Sequence, residues 1–557
     1  MSTAVAPVPS PGAVAGALRG LQPTFVDRVV SYFAPEAGVR RLQARAAMAV
    51  ARTYFGPPSY EGASADRPAL KNWRPAVRSA TADVESSRSP VLARGRDLVR
   101  NAPIAAGAEH TIVTSTVGAG LTCNAAIDAE LLGLTEEQAS AWEAQADRLW
   151  EAWQEQADIE NRLHFGDLSA LTLRDEFQTG DCFAIRRFVT RPGALFNTRV
   201  QLVEGPRVST PTGLLDGLTR TAGIEFDADG QPTKYWIADE VDAARGLVMP
   251  TSWQDVPAYD ALGPLVLHLM RPGRIGQRRG ISPLAPVVEQ LKQLTTYSHA
   301  ELTAAVVSSF FTVFLKSKQP EQDGPIFNTT IDPVLADAPQ MVGQPRPRQV
   351  DLGAGAVVEL ADGEDIAIAD PKRPNANFDP FVLAILRQIG VTLELPFELL
   401  IKHFTASYSA SRAAIQEAYR ATLTRRTRHV RQFCAPVRRW VITEAVARGY
   451  LSAPGFFTDP LRQRAWLGAE WYGPPISSLN PVDDVDAADK RVRLGVSTIA
   501  GEAAQLTGGN AERIHRQRVK EHRRRVADGL EAPITAAPAS AGGAPRVPSP
   551  EQIADAA

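Results

Sequence analysis

Cysteine is scarce in this chain, and no cysteine motif is present. The three cysteines, Cys123, Cys182 and Cys434, are scattered along 557 residues without a Cys-x-x-Cys spacing. This spacing favours a reducing compartment in which the thiols act as small core residues, rather than a disulfide framework.

An excess of one charge is also missing. The chain has 60 lysines and arginines against 62 acids, which gives a formal net charge of −2. The whole molecule is therefore not a polycation that coats nucleic acid. Any contact with DNA must come from local patches or from geometry.

Long hydrophobic runs are absent. The longest apolar run, residues 304–315, is shorter than the roughly 20 residues needed to span a bilayer. The first residues, Met1-Ser2-Thr3-Ala4, lead into Pro, Ala and Gly without a basic region followed by an apolar core. We expect a soluble protein that is made in a cytoplasm and has no membrane partner.

The motifs of common enzymes are missing. The sequence has no Gly-x-x-x-x-Gly-Lys-[Ser/Thr] phosphate loop, no His-Glu-x-x-His and no Gly-x-Ser-x-Gly. Gly118 and Gly120 form a Gly-x-Gly without the third glycine of a dinucleotide site. The eight histidines are dispersed, and the acids Asp483 and Asp484 lie in a Pro-flanked loop. We expect no catalytic residue, cofactor or metal ligand, although a nuclease that gathers distant acids around metal ions stays open.

The composition indicates a globular protein with two or three domains. Hydrophobic residues make up 44% and charged residues 22% of the chain. Residues 1–20 and 531–557 are rich in Ala, Pro, Gly and Ser and predict disordered tails. Residues 47–88, rich in Ser, Pro and Arg, predict an extended arm.

Hydrophobic periodicity predicts a helical region followed by a β-rich subdomain. Helices are expected over 89–116 and 135–157, the second with a tryptophan face that should join the core. Residues 180–270 change to the alternating pattern of strands. Within them, 223–226 and 234–238 flank Asp227-Ala228-Asp229-Gly230, which predicts a hairpin turn.

Two helices are then predicted on either side of an insertion. Ser282 is a suitable N-cap and Pro283 a suitable first helical residue, and the apolar pattern continues to about Lys316. A Pro- and Gly-punctuated section, 317–375, contains a strand pair at 356–360 and 366–368. A second helix follows over about 379–391.

The most distinctive element is a long helical pattern that begins after the Ser-rich loop 406–411. Between Arg412 and Arg448 it carries nine arginines against two acids, Glu417 and Glu444. These arginines could bind phosphates, because counterion release favours each contact.

A structural role for these arginines is the alternative that we favour. Interleaved aromatic residues and a DNA-reading motif are both missing. We expect four arginines to pair with acids on a neighbouring element or subunit. These are Arg425, Arg426, Arg428 and Arg431.

Two further basic stretches have alternative interpretations. One precedes the first long helix and contains His268, Arg271, Arg274, Gln277, Arg278 and Arg279. It predicts a junction between lobes, with an anion site as the alternative. The other contains Arg513, Arg516, Arg518, Lys520, Arg523, Arg524 and Arg525, with Glu512 and Glu521. It predicts a solvated helix face, and otherwise a contact for nucleic acid or an assembly partner.

Several segments, in order, resemble tailed-phage portal proteins of the lambda family. They are Arg96–Pro103 with Val117–Leu121; Gly223–Asp227 with Gly230–Pro232 and Tyr235; His268–Arg274, Gln277, Arg279, Gly280 and Ser282–Ala285; Ser407–Ala414; Phe433, Pro436, Trp440 and Gly449; and Trp471, Asn480–Pro481 and Ala487–Ala488. The resemblance covers about residues 25–530. Asn480–Pro481 departs from the more usual Asp-Pro, which affects only a cap or turn.

The resemblance implies an α+β, multi-lobed portal fold in a ring oligomer. The lobes would be a wing, a two-helix stem, an α/β clip, a long helix and a helical crown. Their implied bounds are a disordered tail at 1–24, the wing at 25–280, the stem helices at 281–316 and 376–393 with the clip at 317–375 between them, the tunnel loop at 394–411, the long wing helix at 412–450, the crown at 451–530 and a disordered tail at 531–557.

The resemblance also implies a function without an enzymatic step. The ring, with twelve subunits the expected number, would occupy one capsid vertex of the virion and conduct DNA during packaging and ejection. Its partners would be other copies of the chain, double-stranded DNA without sequence specificity, the terminase large subunit, the major capsid and scaffold proteins and a head–tail adaptor. Assembly is expected in the host bacterial cytoplasm. The alternatives are another head–tail component or a packaging nuclease or ATPase subunit.

Because twelve copies of a strong phosphate contact would hold DNA in place, a weakly polar channel loop is expected. The residues expected to line the channel are Lys402, His403, Thr405, Ser407, Tyr408 and Ser409. Arg425, Arg426, Arg428 and Arg431 are then expected at subunit interfaces.

Overall fold

The computed structural model describes eleven stretches of the chain. They are residues 31–32, 34–55, 68–70, 72–239, 250–309, 313–317, 364–368, 378–404, 407–475, 480–509 and 511–531. The chain divides into two units, Met1–Ser79 and Ala80–Ala557. Both predicted disordered tails lie outside the described residues, except for Glu531. No described helix is both long and apolar enough to cross a membrane.

The described elements mix helices and strands, as the α+β prediction requires. The helices are α1 (Pro35–Phe55), α2 (Ala80–Asn101), α3 (Pro103–Thr116), α4 (Ala129–Leu132), α5 (Glu136–Gln154), α6 (Phe165–Thr179), α7 (Val288–Ser309), α8 (Phe378–Leu393), α9 (Phe397–Ile401), α10 (Tyr408–His429), α11 (Ala435–Ala447), α12 (Pro460–Trp466), α13 (Pro481–Arg493), α14 (Ile499–Thr507) and α15 (Ala511–Ala527). The strands are β1 (Thr122–Ala125), β2 (Asp181–Phe188), β3 (Thr198–Glu204), β4 (Arg220–Thr221), β5 (Ile224–Phe226), β6 (Pro232–Ala238), β7 (Trp253–Pro257), β8 (Tyr259–Asp260), β9 (Gly263–Pro264), β10 (Val266–Met270), β11 (Val313–Ser317), β12 (Glu364–Ile368) and β13 (Ala469–Tyr472).

The predicted extended arm at 47–88 is wrong at both ends. Helix α1 continues to Phe55, and α2 already begins at Ala80. The single helix predicted over 89–116 is two helices, because Ala102 adopts an extended conformation before Pro103. A residue before proline is pushed out of the helical region, and proline then suits the first position of the next helix.

A tryptophan-rich core holds the helical part of the larger unit together. Thr135 and Gln138 form a capping box that starts α5, and this helix buries Trp150 and Trp153 with ring centroids 5.0 Å apart. Phe165 of α6 stacks on Phe433 in the same core. The predicted core role of the α5 tryptophans is confirmed.

The segment after Tyr450 belongs to this same core. Leu451, Phe456 and Trp466 are buried in it. Strand β13 pairs antiparallel with β1, with Trp471 opposite Cys123. Residues 451–472, which the resemblance assigns to the start of a crown, therefore pack in the same core as the residues before them.

The β-rich subdomain forms where it was predicted. Strands β10, β2 and β3 make one antiparallel sheet, and β4 to β7 make a second. Their inner faces share a core that includes Phe183, Ile224 and Tyr235. The Asp227 side chain accepts hydrogen bonds from the amides of Asp229 and Gln231, which closes the predicted hairpin turn.

Helices α7 and α8 pack with α2 and α3 around a second core. Leu98, Ile112, Leu291 and Ile389 are among its buried residues. The Ser282 hydroxyl donates to the Phe177 carbonyl and accepts the Leu284 amide. A short 3₁₀ turn separates it from α7, so Ser282 does not cap that helix directly.

The prediction that the first long helix continues to Lys316 is wrong. Helix α7 ends at Ser309, and residues 313–317 form strand β11, which pairs antiparallel with β12. Strand β12 corresponds to one half of the predicted pair at 356–360 and 366–368. The other half lies outside the described residues.

The long arginine-bearing helix continues without a break from Tyr408 to Ala447. Residues 430–434 form a π-helical turn between α10 and α11. The predicted helix over 412–450 is confirmed as far as Ala447. It begins earlier, at Tyr408, so the loop predicted over 394–411 ends before that residue and also contains α9. The π turn adds a local widening that no sequence signal indicated.

Candidate functional site: the loop and the arginine-bearing helix

A short polar loop precedes the long helix. Helix α9 ends at Ile401, and the following residue, Lys402, caps it with a left-handed φ of 55°. The His403 amide donates to the Glu398 carbonyl at 3.1 Å. Lys402 and His403 are exposed, as are Ser407 and Ser409, whose hydroxyls lie 3.3 Å apart. Thr405 lies outside the described residues, and of Tyr408 only the helical backbone is described. The channel-lining role of this set stays a prediction.

Arg425 reaches from the long helix to the end of α8. Its guanidinium donates to the Leu393 carbonyl at 2.6 Å and to the Glu394 carboxylate at 3.0 Å. Arg271 donates to the other oxygen of Glu394 at 2.9 Å. Burial alone would raise the pKa of Glu394, but Arg271 and Arg425 outweigh it, so the pKa is lowered. Glu394 therefore stays ionised between two arginines.

Arg428 binds an acid of α6. Its guanidinium lies 2.6 Å from the carboxylate of Glu176, which is buried. Burial raises the pKa of Glu176, and the charge of Arg428 opposes this only in part. This pair fastens the long helix to the helix that enters the β-rich subdomain.

Arg426 binds carbonyl groups and has no carboxylate partner among the described residues. It donates to the carbonyls of Ser115, Thr116 and Pro474, each at 2.9 Å. Two of these carbonyls lie at the end of α3, where helix carbonyls lack partners of their own. Arg426 is 7% exposed, so it serves as a buried cap.

Three of the four arginines predicted at subunit interfaces thus bind neighbouring elements of their own chain. Arg431 is exposed and has no ion pair within the described part of the chain. The subunit-interface role of the set stays a prediction. Substituting Arg426 would not test it, because losing the buried cap would itself disturb the fold.

An open groove of about 930 Å³ runs between α8, α9 and the long helix. Five arginines and two glutamates line it, together with apolar residues of α8 and α9. The charged residues are Arg271, Arg387, Arg420, Arg425, Arg428, Glu394 and Glu417. The groove therefore carries an excess of positive charge and can receive an anionic surface.

Arg279, in the basic stretch before α7, forms a buried junction, whereas Arg271 and Arg274 of the same stretch are exposed. Arg279 is 0% exposed and donates to Asp181 from Nε at 2.5 Å and from Nη2 at 3.1 Å. Its remaining N–H groups reach the carbonyls of Gly205, Val208 and Ala222. The guanidinium thereby joins strand β2 to the segment that enters α7, as the junction interpretation predicted.

The electrostatics of this junction keep Asp181 ionised. Burial would raise the pKa of Asp181, but Arg279 and His268 outweigh it and hold the pKa far below its usual range. Burial lowers the pKa of His268, while Asp181 opposes the shift. Asp181 is fully buried and was not singled out in the sequence, since nothing local distinguishes it.

A buried serine, histidine and cysteine also lie together, but their setting is structural. Ser169 Oγ is 2.6 Å from His429 Nε2 and 3.8 Å from Cys434 Sγ. Burial, with the nearby charge of Arg428, lowers the pKa of His429 to about 3. Burial raises the pKa of the Cys434 thiol. A neutral imidazole and a protonated thiol without solvent access hold the π turn against α6.

All three cysteines are buried and free. Their predicted role as small core residues is confirmed. In the described part of the chain, no three His, Cys, Asp or Glu side chains are gathered as they would be around a metal ion.

Comparison with known proteins places the chain in a family. The model of the family "Phage portal protein, lambda family" matches residues 66–426, which is more than half of the chain. The portal protein of Escherichia phage N15 is 26% identical over 498 residues, covering 87% of this chain and 93% of the relative. Portal protein B of Escherichia phage lambda is 24% identical over 484 residues, covering 84% and 90%.

Solved structures show a weaker likeness. A chain in the virion of a native gene transfer agent particle is 14% identical, with a TM-score of 0.44 over 75% of this chain and 93% of that chain. The match over residues 66–426 shows that the chain belongs to the lambda family of phage portal proteins.

Proposed function

We propose that copies of this chain form a closed ring at one capsid vertex and that duplex DNA passes through its centre during packaging and ejection. The exposed loop around Lys402, His403 and Ser407 lines the opening, together with Thr405 and with Tyr408 and Ser409 in the first turn of α10. The chain acts by assembly and geometry, and no catalytic step is assigned to it.

The observation that carries this proposal is a contrast: the loop is exposed and weakly charged, whereas three arginines of the helix after it bind groups of their own chain. The described loop residues are exposed and carry only one permanent cation, Lys402. Arg425, Arg426 and Arg428 are turned toward Glu394, backbone carbonyls and Glu176. Strong phosphate contacts, repeated in every subunit, would hold DNA in place, whereas a weakly charged loop lets it slide.

The regions of the chain then take the roles of a portal subunit. Helices α7 and α8 serve as the stem, and the intervening section, 317–375, serves as the clip. Residues 25–280 form most of the wing, and the long helix extends it. Because residues 451–472 pack in the wing core, the crown begins only after them.

The groove beside the long helix is proposed as part of the subunit interface. Its excess of arginines would meet acidic groups of the neighbouring copy. Val391 at its edge is 82% exposed, which fits a surface that assembly covers. The partners beyond the ring are the terminase large subunit, the major capsid and scaffold proteins and a head–tail adaptor, in a virion assembled in the bacterial cytoplasm.

The channel role can be tested with a single surface thiol. The native cysteines are buried, so a bulky maleimide should modify Ser409→Cys rings selectively. In a reconstituted packaging reaction, the modified Ser409→Cys ring should stop DNA passage, while unmodified rings package normally. Ser452→Cys, at another exposed position, is the control. Normal packaging by the modified Ser409→Cys ring would contradict the placement of the loop.

The interface role needs substitutions that leave the monomer intact. Arg387 and Arg420 are both exposed in the groove, and neither holds a buried contact. Arg387→Glu with Arg420→Glu should prevent ring formation in negative-stain images while the circular dichroism spectrum stays unchanged. Normal rings from this variant would show that the groove faces away from the neighbouring subunit.

A further inference from the structure

Helix α15, at the C-terminal end of the described chain, stands out by its exposed charge. Its 17 residues, Ala511–Ala527, carry seven basic side chains against two acids. All seven basic residues are exposed: Arg513, Arg516, Arg518, Lys520, Arg523, Arg524 and Arg525. The long helix differs in this respect, because it turns several of its arginines inward.

Part of this charge has local partners. Arg513 lies 3.1 Å from Glu151 of α5, and Arg525 lies 3.2 Å from Glu531. Arg524 is 3.7 Å from Asp528, one turn further on. Arg524 and Arg525 also occupy the last turn, where cations interact favourably with the helix dipole. These residues need no external partner to explain them.

Four basic residues remain without such a partner, and one of them, Arg518, lies on the opposite face of the helix from the other three. Within the described ranges, no ion pair is formed by Arg516, Lys520 or Arg523. Arg516 interacts only at longer range with the charge of Asp147. The spacing of these three residues, four and three positions, places them on one face of the helix. Arg513 and Arg524 extend the same face at its two ends. We call Arg516, Lys520 and Arg523 the basic stripe.

We infer that the basic stripe binds the backbone phosphates of duplex DNA. Arg516 and Arg523 are seven positions apart, an axial rise of about 10 Å. A DNA strand carries one phosphate per about 3.4 Å of helix axis, so the stripe is about as long as three base-pair steps, and each of its three long side chains can reach one phosphate. Lysine and arginine side chains on an exposed helix can follow such a row without reading the base sequence.

The composition of the stripe favours DNA over an acidic protein. A stable protein interface needs aromatic or apolar residues at its centre. Between the cations of the stripe lies the polar residue Gln517, and the helix contains no aromatic residue other than histidine. Its large aliphatic residues are Ile514, on the opposite face, and Val519 and Val526, which lie beside the stripe but are half-buried.

This inference goes beyond the proposed channel. The channel loop lets DNA slide, whereas the stripe is a second, separate contact with phosphates, which does not have to be occupied in every subunit at once. It does not depend on which loop lines the opening, because it concerns binding by the chain itself. Failure of the channel test would leave it intact, and its own failure would leave the channel proposal intact.

The test compares two triple variants of the full-length protein with equal loss of charge. The first replaces Arg516, Lys520 and Arg523 by glutamine, a good helix former that should preserve α15. The control replaces three exposed arginines on other elements, Arg100, Arg174 and Arg464, by glutamine. Affinity for a fluorescent 30-base-pair duplex of random sequence is measured by anisotropy at several salt concentrations, and circular dichroism checks the fold.

The salt dependence provides the decisive readout. Each lost phosphate contact should reduce the slope of log affinity against log salt by about 0.9, so the stripe variant should lose about 2.7. The control variant should keep the wild-type slope. Equal slopes for the wild type and the stripe variant, or an equal loss in the control, would overturn the inference. So would a wild-type protein that binds poly-glutamate but not the duplex.

Discussion

Replacing Arg279 by methionine is expected to destabilise the protein more than almost any other single change. The guanidinium and its partner Asp181 are both fully buried. Removing one partner of a buried ion pair leaves an uncompensated charge and costs about 3–5 kcal/mol. The carbonyls of Gly205, Val208 and Ala222 would lose their donor as well. We therefore expect a loss near the upper end of that range, about 5 kcal/mol.

The assay is urea unfolding followed by tryptophan fluorescence at constant protein concentration, because assembly would add to the apparent stability. The midpoint should fall at an unchanged slope. A double variant, Asp181→Leu with Arg279→Met, removes both charges and should recover much of the loss. A loss below about 1 kcal/mol in the single variant, or a double variant at least as unstable, would refute the reasoning.

The pH dependence gives a second check on the same pair. The folded pKa of Asp181 is far below its unfolded value, so the pair stabilises the protein above the usual carboxylate range. This stability is lost as the pH falls toward the folded pKa. The Asp181→Leu, Arg279→Met variant should therefore lose less stability than the wild type between about pH 4 and pH 2.

Three further predictions follow from single contacts. Arg426→Gln should cost about 3 kcal/mol in urea unfolding, because buried carbonyls lose a charged donor. Arg431→Gln, at an exposed position, should change stability by less than about 0.5 kcal/mol. Equal effects of the two substitutions would contradict the capping role of Arg426. Burial raises the pKa of Asp175 from its ordinary value of 3.8 to about 7, so wild-type stability should fall as the pH rises through this window. Asp175→Asn should reduce this loss of stability with pH, and an unchanged pH profile of stability would contradict the raised pKa of Asp175. Gly180 has a φ of 100°, and an added Cβ would lie 2.5 Å from the facing backbone of Ile281. Gly193 has a φ of 74° but open space around it, so Gly193→Ala should cost only about 1–2 kcal/mol. Gly180→Ala should therefore lower the melting temperature far more than Gly193→Ala.

Local sequence signals predicted the elements that depend on near neighbours. The tryptophan face of α5 and the Asp227 turn are both set within a few residues. The long helix was equally predictable from its unbroken pattern. The break at Pro103 was missed, although the proline itself was a visible signal.

Distant pairings were beyond the sequence signals. The apolar run through Phe314 suits a helix and a strand alike, and only pairing with residues 364–368 selects the strand. The acids that bind the arginines are similarly remote, with Glu394 and Arg425 31 positions apart and Glu176 and Arg428 252 positions apart. The arginine pattern predicted that partners exist, but not which ones.

The central claim is a ring whose opening is lined by the loop before the long helix. The most direct measurement is a cryo-electron microscopy reconstruction of the purified full-length protein. We predict a closed ring of identical subunits with an opening wide enough for duplex DNA, and residues 402–409 at its narrowest part. A protein that stays monomeric at assembly concentrations, or a ring with another segment at the constriction, would contradict the claim.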